Sequence, residues 1–320
     1  MNVQSDTTFT GLQYNRVAGM EFNLASANNR WTGKTFYHQS FYPGASGDAA
    51  AVAANITFAT QYLTATLNQS WVGTDYIAEV GYIRRRGYYE VNPMFQYKFF
   101  PSSSKITNHG PGIKLDMLLD PSYTFTDKET MVFYQVEWMN KSVISLNVKE
   151  TYMKLQSPFD PTNSEGIPLP ANEEFTWKEI GASFGSDTRK PFNLLLAGHY
   201  GGYFNGTGWT ASGELNYRFQ PYGSVAIVTS YNDISLPLPY NSAEFILIGP
   251  RLDFTFTDKI FLTSLVQYND QIDNINLNLR FQWRFAPVSD LFIVYTENSF
   301  PQDYNVKNRG LVLKMSYWFN

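Results

Sequence analysis

NINLNLRFQWRF (274–285) decides how the chain is read. Its odd positions, Ile275, Leu277, Leu279, Phe281, Trp283 and Phe285, are all apolar, and its even positions, Asn274, Asn276, Asn278, Arg280, Gln282 and Arg284, are all polar. Successive side chains of a strand point to opposite faces, so this segment meets two different solvents. The end of the chain repeats the pattern, with Leu311, Leu313, Met315, Tyr317 and Phe319 against Lys314, Ser316 and Asn320. Each stretch has about the ten residues that a tilted strand needs to cross a bilayer. The expected fold is all-β, a transmembrane antiparallel up-and-down barrel of 16–18 strands with lipid outside and a polar lumen.

Composition agrees with that expectation. Phe, Tyr and Trp number 25, 22 and 7, which makes 17% of the chain aromatic, yet mean hydropathy is -0.29. Strands that show half their side chains to lipid and half to a polar lumen give this mixture. No stretch reaches eighteen consecutive apolar residues, which excludes a spanning helix. The absence of cysteine excludes disulfides and thiolate metal sites. A formal charge of -4 argues against nucleic acid as a partner.

Taken in order, alternating segments fall at 13–25, 31–42, 49–58, 61–71, 90–100, 111–119, 130–139, 142–154, 174–186, 191–204, 207–219, 223–231, 243–256, 259–269, 274–285, 290–297 and 308–319, seventeen in all. Tight turns are read at 27–30, 59–61, 101–105, 140–141, 187–190, 220–223, 258–259 and 286–290, alternating with generally longer polar links at 42–48, 72–89, 156–173, 231–241 and 298–307. In an outer-membrane barrel the short set is periplasmic and the long set external, so Asn320 is expected on the periplasmic side. Such barrels normally have an even strand number with both ends inside. MNVQSDTTFTGLQYNRVAGM (1–20) has no basic n-region and no apolar core. The chain is therefore expected to form one domain, 1–320, of a longer precursor, lacking some of its N-terminal strands.

NRVAGMEFNL (15–24), WTGKTFYHQSF (31–41), EVGYIRRRGYYEVNP (79–93), LQSPFDP (155–161), FQWRFAPVSDLFIVYTE (281–297) and LVLKMSYWFN (311–320) resemble the C-terminal barrel region of a family of Bacteroidota envelope proteins. Those proteins carry an N-terminal carbohydrate-binding family 9-like domain followed by an uncharacterised domain that ends in the barrel. The resemblance covers essentially the whole chain, with 281–297 its most specific part. It implies an outer-membrane barrel attached, in the full-length protein, to a sugar-binding β-sandwich domain. Beyond the resemblance, the barrel is expected to act as anchor and as a channel or translocation pore, with glycan or peptide as partners of the further domain. It carries over no catalytic residues.

Candidate chemistry is sparse. The three histidines, His38, His109 and His199, are scattered, and Ser40 lies two residues from His38 on one face, a spacing common by chance. Asp116, Asp120, Asp127, Asp160, Glu165, Glu173 and Glu174 are acids able to hold a hard cation, with solvated loop charge as the competing reading. No cofactor or metal is expected. Arg84, Arg85 and Arg86 cannot all face lipid, where a midplane Arg costs about 2–4 kcal/mol. The link 72–89 is expected to turn into the lumen as a constriction or plug, pairing with Glu21, Glu214 or Asp253, with a surface loop of solvated charge as the competing reading. A mixed-charge wall of Lys98, Arg218, Arg251, Arg280 and Arg284 either selects solutes or pairs structurally.

Asn308, Gly310, Leu313, Met315 and Phe319 resemble the last-strand signal read by barrel-insertion machinery. The expected location is a bacterial outer membrane, with its lipid and that machinery as partners. Two alternatives stay open: part of a glycan-processing, hydrolase-like outer-membrane protein, and a soluble all-β binding protein whose apolar faces meet each other.

Overall fold

A computed structural model describes residues 2–4, 14–45, 47–79, 81–83 and 85–319. A three-residue strand β1 (Asn2–Gln4) precedes β2 (Tyr14–Ala25), β3 (Trp31–Phe41), β4 (Ala50–Ala59), β5 (Leu63–Val72), β6 (Tyr88–Tyr97), β7 (Ile106–Leu119), β8 (Phe125–Trp138) and β9 (Val143–Lys154). Then come β10 (Glu174–Gly185), β11 (Phe192–Tyr203), β12 (Gly206–Phe219), β13 (Gly223–Ser235), β14 (Ala243–Thr255), β15 (Ile260–Asn269), β16 (Asn274–Ala286), β17 (Ser289–Ser299) and β18 (Val306–Ser316). β2 to β18 are the seventeen long strands of one antiparallel, up-and-down sheet, and the described residues contain no helix. The chain divides into two compact units. Unit 1 is Met1–Val136, Asn147–Pro158 and Pro170–Lys178; unit 2 is Glu137–Leu146, Phe159–Leu169 and Glu179–Asn320.

Register carries the alternation from strand to strand. In unit 2, Phe192, Tyr217, Val225, Leu252, Ser264, Leu279, Tyr295 and Leu311 form one rung across β11 to β18. The next rung, on the opposite face, is Asn193, Asn216, Ala226, Arg251, Leu265, Asn278, Thr296 and Gly310. In unit 1, Met20, Tyr37, Val52, Trp71, Tyr89 and Leu119 share one face of β2 to β7, and Glu21, Phe36, Ala53, Ser70, Glu90 and Leu118 share the other. A slip of one residue at any pairing would mix the two faces.

The apolar face has no protein layer on it among the described residues. Met20 is 76% exposed, Leu311 71% and Leu313 69%. Trp283 is exposed, and Leu277, Leu279 and Phe281 are only half-buried. The fully buried apolar residues are few, and Leu155, Leu169, Phe204 and Leu236 among them lie in links rather than strands. Ordering one residue's backbone costs about 1–2 kcal/mol, and burying a large apolar side chain returns about 1.5–3 kcal/mol. The core among the described residues is small, and the apolar face of the sheet stays largely exposed.

Aromatic rings gather on that face at two levels. Near the short turns, unit 1 pairs Trp31 with Phe58 at 4.8 Å and Tyr97 with Phe99 at 5.0 Å between centroids. At the same end of unit 2, Phe254 meets Phe219 and Phe256, and Phe285 meets Trp283 and Tyr317. At the other end lie Tyr89 with Tyr123 and Trp209 with Tyr231. Along β12, Trp209 and Tyr217 are separated by about 27 Å at the usual strand rise.

Links at the end away from these short turns are uneven in length. The segments 42–49, 73–87, 155–173, 236–242 and 300–305 are long, whereas 120–124, 204–205 and 270–273 are tight.

Close packing on the polar face depends on Gly112 of β7. A Cβ there would sit 2.2 Å from Cζ of Phe133, whose ring covers the glycine from β8. Gly112→Leu is expected to displace Phe133 and cost about 1–3 kcal/mol, read as a lower denaturant midpoint by intrinsic fluorescence. Adding Phe133→Ala should recover part of the loss; an unchanged midpoint in the single variant would contradict the packing.

Candidate functional site: the polar face and the link folded over it

The polar face balances its own charge. Glu21 on β2 takes Lys34 on β3 at 2.9 Å, Lys114 takes Asp116 at 2.6 Å, and Lys149 on β9 takes Glu129 on β8 at 3.4 Å. In unit 2, Arg251 pairs with Asp253 at 2.8 Å and Arg284 with Asp290 at 3.4 Å. Arg280 donates to Gln282 and lies over the Phe292 ring. Two residues apart on one strand, or opposite on neighbours, side chains share a face within reach of each other, which is why these partners find each other. Half-exposed pairs of this kind contribute about 0–1 kcal/mol each, so their main effect is to cancel charge locally.

The carboxylates expected to face the arginine run are therefore engaged elsewhere. Glu21 holds Lys34, Asp253 holds Arg251 and Thr263, and Glu214 accepts from Asn216. Arg85 instead reaches Asp127 on β8 at 3.6 Å; Arg84 lies outside the described residues. Arg218 is a turn cap: its guanidinium donates to the carbonyls of Thr188 and Lys190 in the short turn before β11. In the same turn, hydrogen bonds from the side chain and backbone of Arg189 hold the Asp187 carboxyl down at about 2. Lys98 follows β6, its backbone N–H bonded to Tyr62.

In unit 1 the link 73–87 turns inward over the polar face of β2 and β3. Asn15 and Ser40, on that face, are 2% and 1% exposed. Asn15 Nδ2 donates to Ser40 Oγ at 3.1 Å and to the Ile77 carbonyl at 3.0 Å, and Ser40 Oγ donates to the same carbonyl at 2.5 Å. Tyr42 Oη donates to the Asp75 carbonyl. Tyr76, within the segment, is buried, and burial raises its phenol pKa. Neutral hydrogen bonds thus seat the link, and the arginines sit at its far end.

In unit 2 a second link is stiffened by a carboxylate. Within 159–169, closed by the Phe159–Leu169 bridge, Asp160 accepts from the N–H groups of Thr162, Ser164 and Gly166 at 2.9, 3.1 and 3.1 Å and from the Thr162 hydroxyl at 2.6 Å. Burial acts to raise the Asp160 pKa, but these hydrogen bonds outweigh it and hold the carboxyl below its ordinary value. Asn241, from the link after β13, donates to Ser164, and Phe159 lies against Phe204.

The other sequence candidates separate. Ser40 is tied to Ile77, and His38 stacks on Phe36 at 4.5 Å. His109 bonds the Tyr134 hydroxyl on the apolar face, and His199 stands across from Thr210. Asp116, Asp127 and Glu174 lie in strands rather than links; Asp120 caps the turn 120–124 through Ser122 and Thr124. Glu173 accepts from Leu155 through its backbone, and Glu165 takes a left-handed backbone in the stiffened link. No group of acids, histidines or cysteines able to hold a metal occurs among the described residues. Asn308 and Gly310 lie on the polar face of β18 and Leu313 and Met315 on its apolar face, while Phe319 stands beyond the strand, 84% exposed. Asn320 is outside the described residues.

No protein-family model matches the chain, and no curated protein matches it.

Two outcomes follow from these contacts. Asn15→Ala combined with Ser40→Ala removes the seat of the link; a lost buried hydrogen bond costs about 1–3 kcal/mol, so tryptic cleavage after Arg85 and Arg86 is expected to quicken by about tenfold or more. Cleavage at the wild-type rate would show that the link is held otherwise. The lowered Asp160 pKa stabilises 159–169 fully above the ordinary carboxylate range, and that contribution fades as pH falls toward the lower folded value. Amide exchange in this link should therefore accelerate on acidification in the wild type and be fast and pH-flat, after correction for intrinsic exchange, in Asp160→Asn.

Proposed function

We propose that the chain is a transmembrane β-barrel of a bacterial outer membrane, the anchor and channel or translocation pore of a longer envelope protein. The observation that carries this reading is the pair of faces kept in register along each unit, apolar and exposed on one side, polar and charge-paired on the other. In water the exposed face is a far larger apolar patch than soluble monomers tolerate. Facing hydrocarbon it costs nothing, and the aromatic rings at its two ends stand where interfacial belts stand. Closure of the sheet satisfies every strand edge, which a bilayer demands because it offers no water to unpaired N–H and C=O groups.

A barrel of this strand number has a lumen too wide for side chains to fill. The link 73–87 supports a constriction within it, since it already lies over the polar face of β2 and β3 on Asn15 and Ser40. Arg85 and Arg86 then present positive charge to passing solutes, with Asp127 as a partial counter-charge. Linkage to a carbohydrate-binding domain comes from the family resemblance alone, and β18 supplies the candidate signal for the insertion machinery.

The protein is expected to need detergent for a monodisperse state and to give stepwise conductance in planar bilayers. Arg85→Glu should shift ion selectivity toward cations, whereas Lys307→Glu, at a residue bonded to the carbonyls of Ile272 and Asp273 in a turn, should leave it unchanged. A soluble, detergent-free monomer would end the membrane reading; equal effects of the two substitutions would end the arginine constriction.

A further inference from the structure

The apolar face of unit 1 changes character along β8, β9 and β10. On β8 it carries Tyr134 and Val132, exposed and apolar, then Thr130 and Lys128 toward the start of the strand. On β9 exposed Val148 gives way to Glu150 and Tyr152, and on β10 Thr176 and Lys178 continue the same side, since Lys178 pairs with Glu150 at 3.2 Å. Between the three strands lies a groove of about 380 Å³, lined by Thr124, Phe125, Lys128, Thr130, Tyr152 and Thr176 together with Glu150.

Charge in this groove is unequal. Glu150 is held by Lys178, and Glu174 at its edge is held by Lys154 at 3.3 Å. Among the described residues no carboxylate pairs with Lys128, which lines the groove together with Thr124, Thr130 and Thr176. A cation with several hydroxyl donors suits an anion rich in oxygen acceptors. Beyond the groove, exposed Val132 and Val148 offer an apolar track running away from the charged end.

We propose that this groove binds the phosphate headgroup of an anionic membrane lipid, with Lys128 and the threonine hydroxyls on the phosphate and the acyl chains along Val132 and Val148. The inference rests on the membrane reading, which places Lys128 at the depth of lipid headgroups and Val132 at that of the acyl chains. A single lysine near a charged bilayer surface changes anionic-lipid affinity by about fivefold.

Native mass spectrometry of the detergent-solubilised full chain, titrated with phosphatidylglycerol or phosphatidylcholine, tests it. The wild type should retain phosphatidylglycerol preferentially, Lys128→Gln should lower that retention about fivefold, and Lys307→Gln should not. Thr130→Val, which keeps the fold-neutral β-branched shape, should lower it less. Equal retention of the two lipids, unaltered retention in Lys128→Gln, or full displacement by inorganic phosphate alone would each overturn the site. Those results leave the membrane reading standing, because detergent dependence is scored separately in the same preparations.

Discussion

Everything in this fold depends on what touches the apolar face of the sheet. Strand pairing takes up the backbone groups between neighbouring strands, and much of the polar face is taken up by its own ion pairs and amide contacts. The face carrying Met20, Phe22, Leu311 and Leu313 has no such provision. Hydrophobic burial is the main favourable term in folding, and here the described chain buries little of what it owns. The proposed membrane resolves this by making the surroundings, rather than a protein core, the apolar phase. The polar face then inherits the opposite problem, which is to be wet without being a field of uncompensated charge.

That second problem is solved by short-range pairing. Arg251 with Asp253, Lys114 with Asp116 and Arg284 with Asp290 each cancel within a strand or between neighbours. A wall built this way presents dipoles more than net charge, which weakens long-range selection of ions by the wall itself. Selectivity in the proposed pore is accordingly concentrated in the link 73–87, where Arg85 and Arg86 sit at the end of a segment fastened by neutral groups. Fastening through Asn15 and Ser40 leaves the guanidinium groups to interact with Asp127 and with solutes, and the link keeps its place whatever those charges bind.

The strands were legible because an apolar and a polar face write a two-residue period. All seventeen segments read from the sequence correspond to β2 through β18, most within one or two residues. The ends that were missed share a cause. β8 begins at Phe125, five residues before its expected start, and Thr126, Asp127, Lys128 and Glu129 there are polar on both faces. β13 runs on to Ser235 through Asn232 and Asp233, and β7 starts at Ile106, ahead of the Gly110-Pro111 pair that reads as a boundary. Where both sides of a strand meet polar surroundings there is no alternation to read, and pairing alone extends the ladder.

The site was less legible, for a related reason. In the membrane reading three adjacent arginines are expected to avoid lipid, but partner choice is decided by register, which a single sequence does not display. Glu21 meets Lys34 only because Asn23 stands opposite Lys34 and Glu21 is the diagonal neighbour on the same face. Ser40 stood out only by its spacing from His38, and Asn15 not at all, both being small polar residues on strands full of them. Phe175 and Trp177 show the limit most clearly. They are buried on the side of β10 opposite Lys178 and Thr176, so the outward residues are the polar ones there, the reverse of Ile180, Ala182 and Phe184 further along. The alternation keeps its phase across the whole strand while its meaning inverts. The inversion falls beside the groove around Lys128, with which no carboxylate pairs among the described residues.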